Sequence, residues 1–312
     1  MKPLSLVFMG TPDFALPPLQ ALAEAGHNIL AVYTQPDKPK GRGKIIQAPH
    51  VKEAALALGI PVFQPSSMKD EKIYHELSAL SPDVFVVVAY GHILPARLLE
   101  IPRLGAVNIH ASLLPRYRGA APIQWAITHG ESHTGVTTML MDAGMDTGDI
   151  LLQRSLAIEP QDTSVEVHDR LSMLGAELIL ETLEGLGEGS IQPLPQNSEE
   201  ATYAPLLKKS HGRINWNLPA HDIDTHVRGM NPWPGAFTRL KETDYKIFKV
   251  QPLTMVHEAL PGTVLPSPSG SLIIAAAKDA VAINELQGPS GKRMGIADFL
   301  RGNPITAGMF FS

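Results

Sequence analysis

The stretch Val84-Phe85-Val86-Val87-Val88-Ala89-Tyr90-Gly91-His92-Ile93-Leu94-Pro95 opens with an unbroken run of β-branched and aromatic residues. A continuous apolar run of this length, rather than an alternating one, suits a strand covered on both faces of its sheet. Gly91 and Pro95 then turn it into a loop whose backbone groups can face a planar heterocycle. Similar apolar runs at Ile29 to Tyr33 and Val136 to Met141 alternate with helix-like segments. One of these, Thr163 to Glu184, begins with Thr163 and Glu166 at the spacing of a capping box. At the amino terminus, Leu4-Ser5-Leu6-Val7-Phe8-Met9 runs into Gly10-Thr11-Pro12-Asp13-Phe14-Ala15, which reads as strand, tight turn and helix start.

Strands alternating with helices predict an α/β chain with a Rossmann-like, doubly wound and mostly parallel sheet. No GxGxxG follows the first strand and there is no P-loop sequence, which argues against an ordinary dinucleotide site or an NTPase. Periodicity ends at Gly185-Leu186-Gly187-Glu188-Gly189-Ser190, and glycine, proline and polar residues dominate as far as Pro205. Residues 1–189 therefore read as one domain, 190–207 as a linker and 208–312 as a second domain. In the last part, Thr243 to Gln251, Gly262 to Leu265, Ser271 to Ala276 and Ala280 to Gln287 read as short strands between turns, predicting a smaller, OB-like β-barrel.

With 312 residues, 44% of them hydrophobic, the chain can bury at least one full core. No segment approaches the roughly 20 apolar residues of a membrane span. Zero cysteines exclude disulfides, thiolate metal sites and a cysteine nucleophile. Met1-Lys2-Pro3 leads directly into a strand with no signal-like segment, so cytoplasmic residence is expected. The net charge of −5 is unevenly divided. Residues 1–207 carry 14 Lys and Arg against 23 Asp and Glu, a net −9; residues 208–312 carry 12 against 8, a net +4. A second cationic feature is Thr34-Gln35-Pro36-Asp37-Lys38-Pro39-Lys40-Gly41-Arg42-Gly43-Lys44, with four basic groups and one acid. Its Pro and Gly content predicts a mobile loop without regular structure, and its charges suit an anion such as phosphate.

Chemistry concentrates in Ala106-Val107-Asn108-Ile109-His110-Ala111-Ser112-Leu113-Leu114-Pro115 and in Asp142-Ala143-Gly144-Met145-Asp146-Thr147-Gly148-Asp149. Asn108 and His110 lie two apart, so on a strand their side chains share one face. An amide and an imidazole aimed at one point can hold a developing oxyanion while a carboxylate, here Asp146, orients the ring. Taken singly, the three residues read as a turn former, a satisfied histidine and a cap.

Taken together, the two strings resemble the folate-dependent formyltransferases, in which an Asn, a His and an Asp at this separation form the transfer site. The resemblance implies catalytic roles for Asn108, His110 and Asp146. It also implies that the formyl donor is 10-formyltetrahydrofolate, with its pterin ring against the loop carrying Tyr90, Gly91, Ile93 and Leu94. Ser112, Leu113, Leu114 and Pro115 match a folate-contacting segment. His92 is not carried as catalytic. The amino-terminal string, the basic loop, and the strings His211 to Trp216 and Val227 to Ala236 are similar to those of members acting on initiator methionyl-tRNA. That likeness makes Arg42 a substrate-binding residue, with Lys44 and Lys38 as phosphate contacts, and gives the C-terminal β-barrel a tRNA-binding role.

The implied reaction is attack of the neutral α-amine of the esterified methionine on the formyl carbon. Asn108 and protonated His110 would hold the resulting oxyanion, and Asp146 would stabilise the imidazolium, with no metal. Arg116 and Arg118 are open between folate tail, tRNA phosphate and exposed helix-entry charges. Lys208 and Lys209 are open between tRNA contacts and a solvated linker end. Rival acceptors are glycinamide ribonucleotide, an amino-sugar nucleotide or water, and a noncatalytic RNA-binding protein is the rival outside enzymes. A monomer is expected.

Overall fold

The computed structural model describes residues 2–40, 45–268, 270–289 and 291–312. In chain order the first ten strands are β1 (Ser5–Gly10), β2 (Asn28–Tyr33), β3 (Lys38–Lys40), β4 (Ile45–Gln47), β5 (Val62–Phe63), β6 (Val84–Val88), β7 (Ala106–His110), β8 (Arg118–Gly119), β9 (His133–Leu140) and β10 (Ile150–Ala157). Seven of them form one sheet in the order β10-β9-β7-β6-β1-β2-β5. The pairs from β7 to β5 along this order are parallel, while β9 is antiparallel to both β7 and β10. Six strands run one way and only β9, between β7 and β10, runs against them, which makes the expected mostly parallel, Rossmann-like sheet.

The chain divides into two compact units. Unit 1 comprises Met1–Gly119, His133–Ala157 and His168–Tyr203; unit 2 comprises Ala120–Ser132, Ile158–Val167 and Ala204–Ser312. In unit 1, every residue of β6 is buried, as its unbroken apolar run predicts. Val7, Met9, Tyr33, Phe85 and Val87 join Ile73, Leu77 and Leu98 in one core layer. Each such side chain contributes about 1.5–3 kcal/mol when fully removed from water. Helix Ser164–Glu188 starts with the capping box read from sequence, Thr163 N donating to Glu166 Oε2 at 2.9 Å. Farther along it, a Cβ added at Gly175 would stand 3.0 Å from Ile109 Cγ2, so a hydrogen at this position lets the helix backbone lie close against β7. Ile109 points opposite to Asn108 and His110 along the pleat, and that packing holds the strand from the face away from them.

The stretch 190–203, read as the first part of a linker, is hydrogen-bonded within unit 1. Leu194 exchanges both backbone hydrogen bonds with Ile150, and Arg118 N donates to Thr202 O at 2.8 Å.

After β11 (Tyr203–Ala204), where unit 1 gives way to unit 2, the remaining strands belong to unit 2: β12 (Ala236–Leu240), β13 (Thr243–Leu253), β14 (Val264–Leu265), β15 (Leu272–Ala275), β16 (Ala280–Gln287) and β17 (Met294–Gly295). Strands β12-β13-β16-β15-β14 pair antiparallel and β17 pairs with β16, a curled half-barrel sheet. Its core contains Trp216, Ile223, Val227, Ile247, Ile283 and Leu286, and Trp216 Nε1 donates to Thr238 Oγ1 at 2.9 Å. Among the described residues no helix is long and apolar enough to cross a membrane.

Candidate active site

Strand order reverses between β1 and β6, and open α/β sheets bind ligands outside the carboxyl ends of strands at such a point. There the loops following β1, β2 and β6 are tied together. Thr11 Oγ1 donates to Tyr90 O at 3.1 Å, Gln35 N donates to Thr11 Oγ1 at 3.2 Å, and Gln35 Nε2 donates to Tyr90 O at 3.3 Å. Strand β7 lies beside β6, with Asn108 opposite Val87.

Asn108 and His110 occupy one face at the carboxyl end of β7, as their spacing predicts. Asn108 is half-buried, and its amide makes no hydrogen bond to the described residues. His110 is 7% exposed. Its Nε2 lies 3.0 Å from Tyr117 O, and because a carbonyl only accepts, that nitrogen carries a proton. Nδ1 then faces Asp146 Oδ2 at 3.7 Å. The same Oδ2 accepts from the Gly119 N–H at 2.7 Å. The structure thus brings the amide, the imidazole and the carboxylate into one place from strings some thirty residues apart.

Asp146 has φ +55, in the left-handed region, and sits in a tight loop. The Asp142 carboxylate organises its base, accepting from Gly144 N at 2.9 Å and Thr147 Oγ1 at 2.8 Å. A Cβ on Gly148 would come within 1.6 Å of Leu140 O, so only glycine lets the two backbones meet there.

The loop's other side is held by a residue that sequence pattern does not single out. Gln196 Nε2 donates to Asp146 O at 2.9 Å and to Gly148 O at 2.7 Å. Its Oε1 accepts from Arg118 Nε at 3.0 Å and Nη2 at 2.7 Å. Arg118 is 3% exposed, which removes the exposed helix-entry reading and leaves this arginine inside the protein. Arg116, in contrast, is exposed, with its guanidinium 5.3 Å from the centre of the Tyr117 ring.

The residues matched to folate contacts fall into two sets. Tyr90, Leu94, Ser112 and Leu114 are buried. Ser112 Oγ donates to Arg116 O at 2.6 Å, Thr137 Oγ1 donates to Ser112 O at 2.7 Å, and Gln153 Nε2 donates to Leu114 O at 2.8 Å. These side chains fasten the loop. The surface-facing members are Gly91 (φ +79), Ile93 at 84% exposure, and the half-buried Leu113 and Pro115. Ile93 and Gly91 are thus the openly exposed members of the loop that follows the carboxyl end of β6.

The basic loop differs from expectation. Its two arms, β3 and β4, pair as an antiparallel ribbon, with Pro39 opposite Ile46. A two-stranded ribbon leaves one edge of each strand unpaired, so the absent N–H of Pro39 is tolerated. Lys38 Nζ is 3.2 Å from Gln35 Oε1. Asp37, the loop's acid, takes hydrogen bonds from Lys52 Nζ and Gln64 Nε2, and that from Lys52 is the main reason its carboxyl is held below the usual range. Arg42 and Lys44 lie outside the described residues. In unit 2, Lys208 N donates to His211 Nδ1 at 3.2 Å, and Lys209 and Arg213 join Arg239 in lowering the Asp244 carboxyl, the Arg239 hydrogen bond contributing most.

Residues 4–183 match the family model described as formyl transferase, and residues 206–304 match the formyl transferase C-terminal domain. The chain is 52% identical over 308 residues to a methionyl-tRNA formyltransferase from Pelobacter propionicus, covering 99% of this chain and 96% of that one. It is 50% identical over 310 residues to one from Desulforamulus reducens, covering 98% and 96%. Among solved structures, an N-formyltransferase from Helicobacter canadensis in complex with folinic acid and dTDP-3-aminofucose superposes with TM-score 0.67 at 17% identity, covering 92% of this chain and all of that one. HypX from Aquifex aeolicus in complex with tetrahydrofolic acid gives TM-score 0.64 at 18% identity, covering 100% of this chain and 51% of that one.

Proposed function

Because the chain belongs to the formyl transferase family, alongside the methionyl-tRNA formyltransferases, we propose the following division of labour among its residues. The reaction is transfer of the formyl group of 10-formyltetrahydrofolate to the α-amino group of methionyl initiator tRNA, giving N-formylmethionyl-tRNA for translation initiation. The observation that carries the residue assignment is the convergence of Asn108, His110 and Asp146 at the carboxyl end of β7.

When bound, 10-formyltetrahydrofolate supplies the formyl carbon and leaves as tetrahydrofolate. Asn108 directs its amide at the formyl oxygen, where negative charge develops as the amine attacks. His110 Nδ1 is the ring nitrogen toward the reaction, because the Nε2 proton is engaged by Tyr117 O. Asp146 balances positive charge on that ring and accepts the proton released by the attacking amine, directly or through a water, and that proton passes to N10 as the bond between N10 and the formyl carbon breaks. Ile93, Gly91, Leu113 and Pro115 form the pterin-facing surface, and Tyr90, Leu94, Ser112 and Leu114 support it from behind.

Substrate recognition is divided along the chain. Arg42, Lys44 and Lys38 on the basic loop meet the end of the tRNA, and residues 208–312 contact its backbone. The chemistry rests on residues of unit 1, including the stretch 190–203 that is hydrogen-bonded into it. The enzyme works as a cytoplasmic monomer. A formyl-transfer assay with methionine-charged initiator tRNA, run beside an amino-sugar nucleotide, glycinamide ribonucleotide and water as acceptors, tests the reading. Transfer to Met-tRNA alone supports it; transfer only to a small acceptor overturns the tRNA assignment while leaving the three catalytic residues in place.

A further inference from the structure

Within unit 1, Asp146 is gripped twice by one dipeptide. Gly119 donates its N–H to the carboxylate, while Arg118 reaches the backbone of the same residue through Gln196. We infer that Gln196 is a positioning residue for Asp146, setting its carboxylate against His110, an inference that rests on the formyl-transfer reading.

The amide orientation of Gln196 is dictated rather than arbitrary. A guanidinium has donors only, so the oxygen of Gln196 must face Arg118 and its NH₂ must face the two carbonyls. Two acceptor positions and two donors are all used, a full complement for one glutamine. The two carbonyls flank Thr147, so the amide spans the turn that carries Asp146 and closes it as a clasp. The φ of +55 at Asp146 is unfavourable for a residue with a side chain, and a loop that holds such a conformation needs contacts to enforce it. Arg118 in turn is locked by burial and cannot swing away. Reaching His110 with a carboxylate that is already hydrogen-bonded to Gly119 leaves little slack. A misplacement of about 1 Å at a reacting group can cost on the order of 10²-fold in rate.

The test uses the full chain with three variants: Gln196→Met, Arg118→Met, and the two combined. Turnover and both KM values are measured with 10-formyltetrahydrofolate and Met-tRNA, melting temperature is measured beside them, and the ring ¹⁵N resonances of His110 are read without substrates. Gln196→Met should lower kcat about 10²-fold, leave both KM values within about twofold, and move the His110 resonances, which sense the nearby carboxylate. It should also lower the melting temperature, because it strands a buried guanidinium without its acceptor. The double variant removes that guanidinium and should recover most of the melting temperature without recovering kcat. That split separates positioning from stability. Recovery of kcat along with melting temperature, an unchanged kcat in Gln196→Met, or a loss confined to KM would each overturn the inference. If the wild-type chain itself transfers no formyl group to Met-tRNA, the functional reading fails instead; the His110 resonances then still decide whether Gln196 sets the Asp146 carboxylate.

Discussion

His110 Nδ1 faces Asp146 Oδ2 across 3.7 Å, an ion-pair distance longer than a hydrogen bond. The opposite edge of the ring is fixed by its proton on Tyr117 O, and the carboxylate is fixed by the Gly119 N–H. Two backbone groups in the segment 117–119 therefore set the angle at which acid and imidazole meet. Asn108 stands on the same face of β7 as that ring, and its amide makes no hydrogen bond to the described residues.

Removing either end of this arrangement should be costly in rate and cheap in folding. Asn108→Ala is expected to lower turnover by about 10²- to 10³-fold, the usual loss for a single oxyanion donor, and Asp146→Ala by about 10²- to 10⁴-fold, the usual range for a group that takes up a proton in the reaction. Circular dichroism should stay that of the native protein. Asp146→Asn can still accept from Gly119 and preserve the loop, so a loss as deep as in Asp146→Ala would assign the effect to charge. Near-normal single-turnover rates in these variants would remove the residues from the chemistry.

Gly148→Ala tests the loop rather than the carboxylate. Its new Cβ would meet Leu140 O at 1.6 Å, a contact with backbone that no rotamer can relieve. Either β9 or the Asp146 turn must shift. Overpacking of this kind costs about 1–3 kcal/mol, which should show as a lower melting temperature, together with a fall of tenfold or more in kcat. An alanine variant with wild-type kcat and melting temperature would mean that the turn is far looser than it looks.

Much of this architecture is legible from local pattern. Val84 to Val88 reads as a buried strand because every position is apolar, and Ala280 to Gln287 matches its strand end to end. Thr163 and Glu166 announce a helix start through a contact between residues three apart. What local pattern does not supply is anything closed over long sequence distance. Gln196 stands between Pro195 and Asn197 in a segment with linker composition, and its partners Arg118 and Asp146 are 78 and 50 residues away. A hydrogen-bonded glutamine and a solvated one have the same sequence signature. Arg118 shows the same limit, since its charge suggests solvent or a ligand while the fold buries it. The ribbon of β3 and β4 is hidden for a different reason, because Pro39 argues against a strand until its partner is known.

Arg42→Ala should separate the two substrates. If the basic loop meets only RNA, KM for Met-tRNA rises while KM for 10-formyltetrahydrofolate is unchanged. The dependence of tRNA affinity on salt should also become shallower, because one fewer neutralised phosphate takes about 0.7–0.9 off the logarithmic slope. Equal losses for both substrates would place the arginine near the folate instead.

A pH dependence of stability follows from two histidines outside the site, one in each unit. His27 is 6% exposed and accepts from Leu4 N at Nδ1, at 3.2 Å, so its neutral form is the one built into the fold. Burial, reinforced by the positive amino terminus, pushes its pKa below the usual 6.5. Burial likewise lowers His226, against a smaller opposing effect from its hydrogen bond with the Gly212 backbone. In the unfolded chain both rings take a proton near pH 6.5, while in the folded chain they resist it until a lower pH. Between those two points the unfolded state binds more protons, so stability rises with pH across that window and is lost as pH falls from 6.5 toward the folded values. Melting temperature should therefore drop between pH 7.5 and pH 5. In His27→Gln combined with His226→Gln that slope should flatten, because neither replacement titrates. A double variant retaining the full wild-type slope would assign acid sensitivity to other groups.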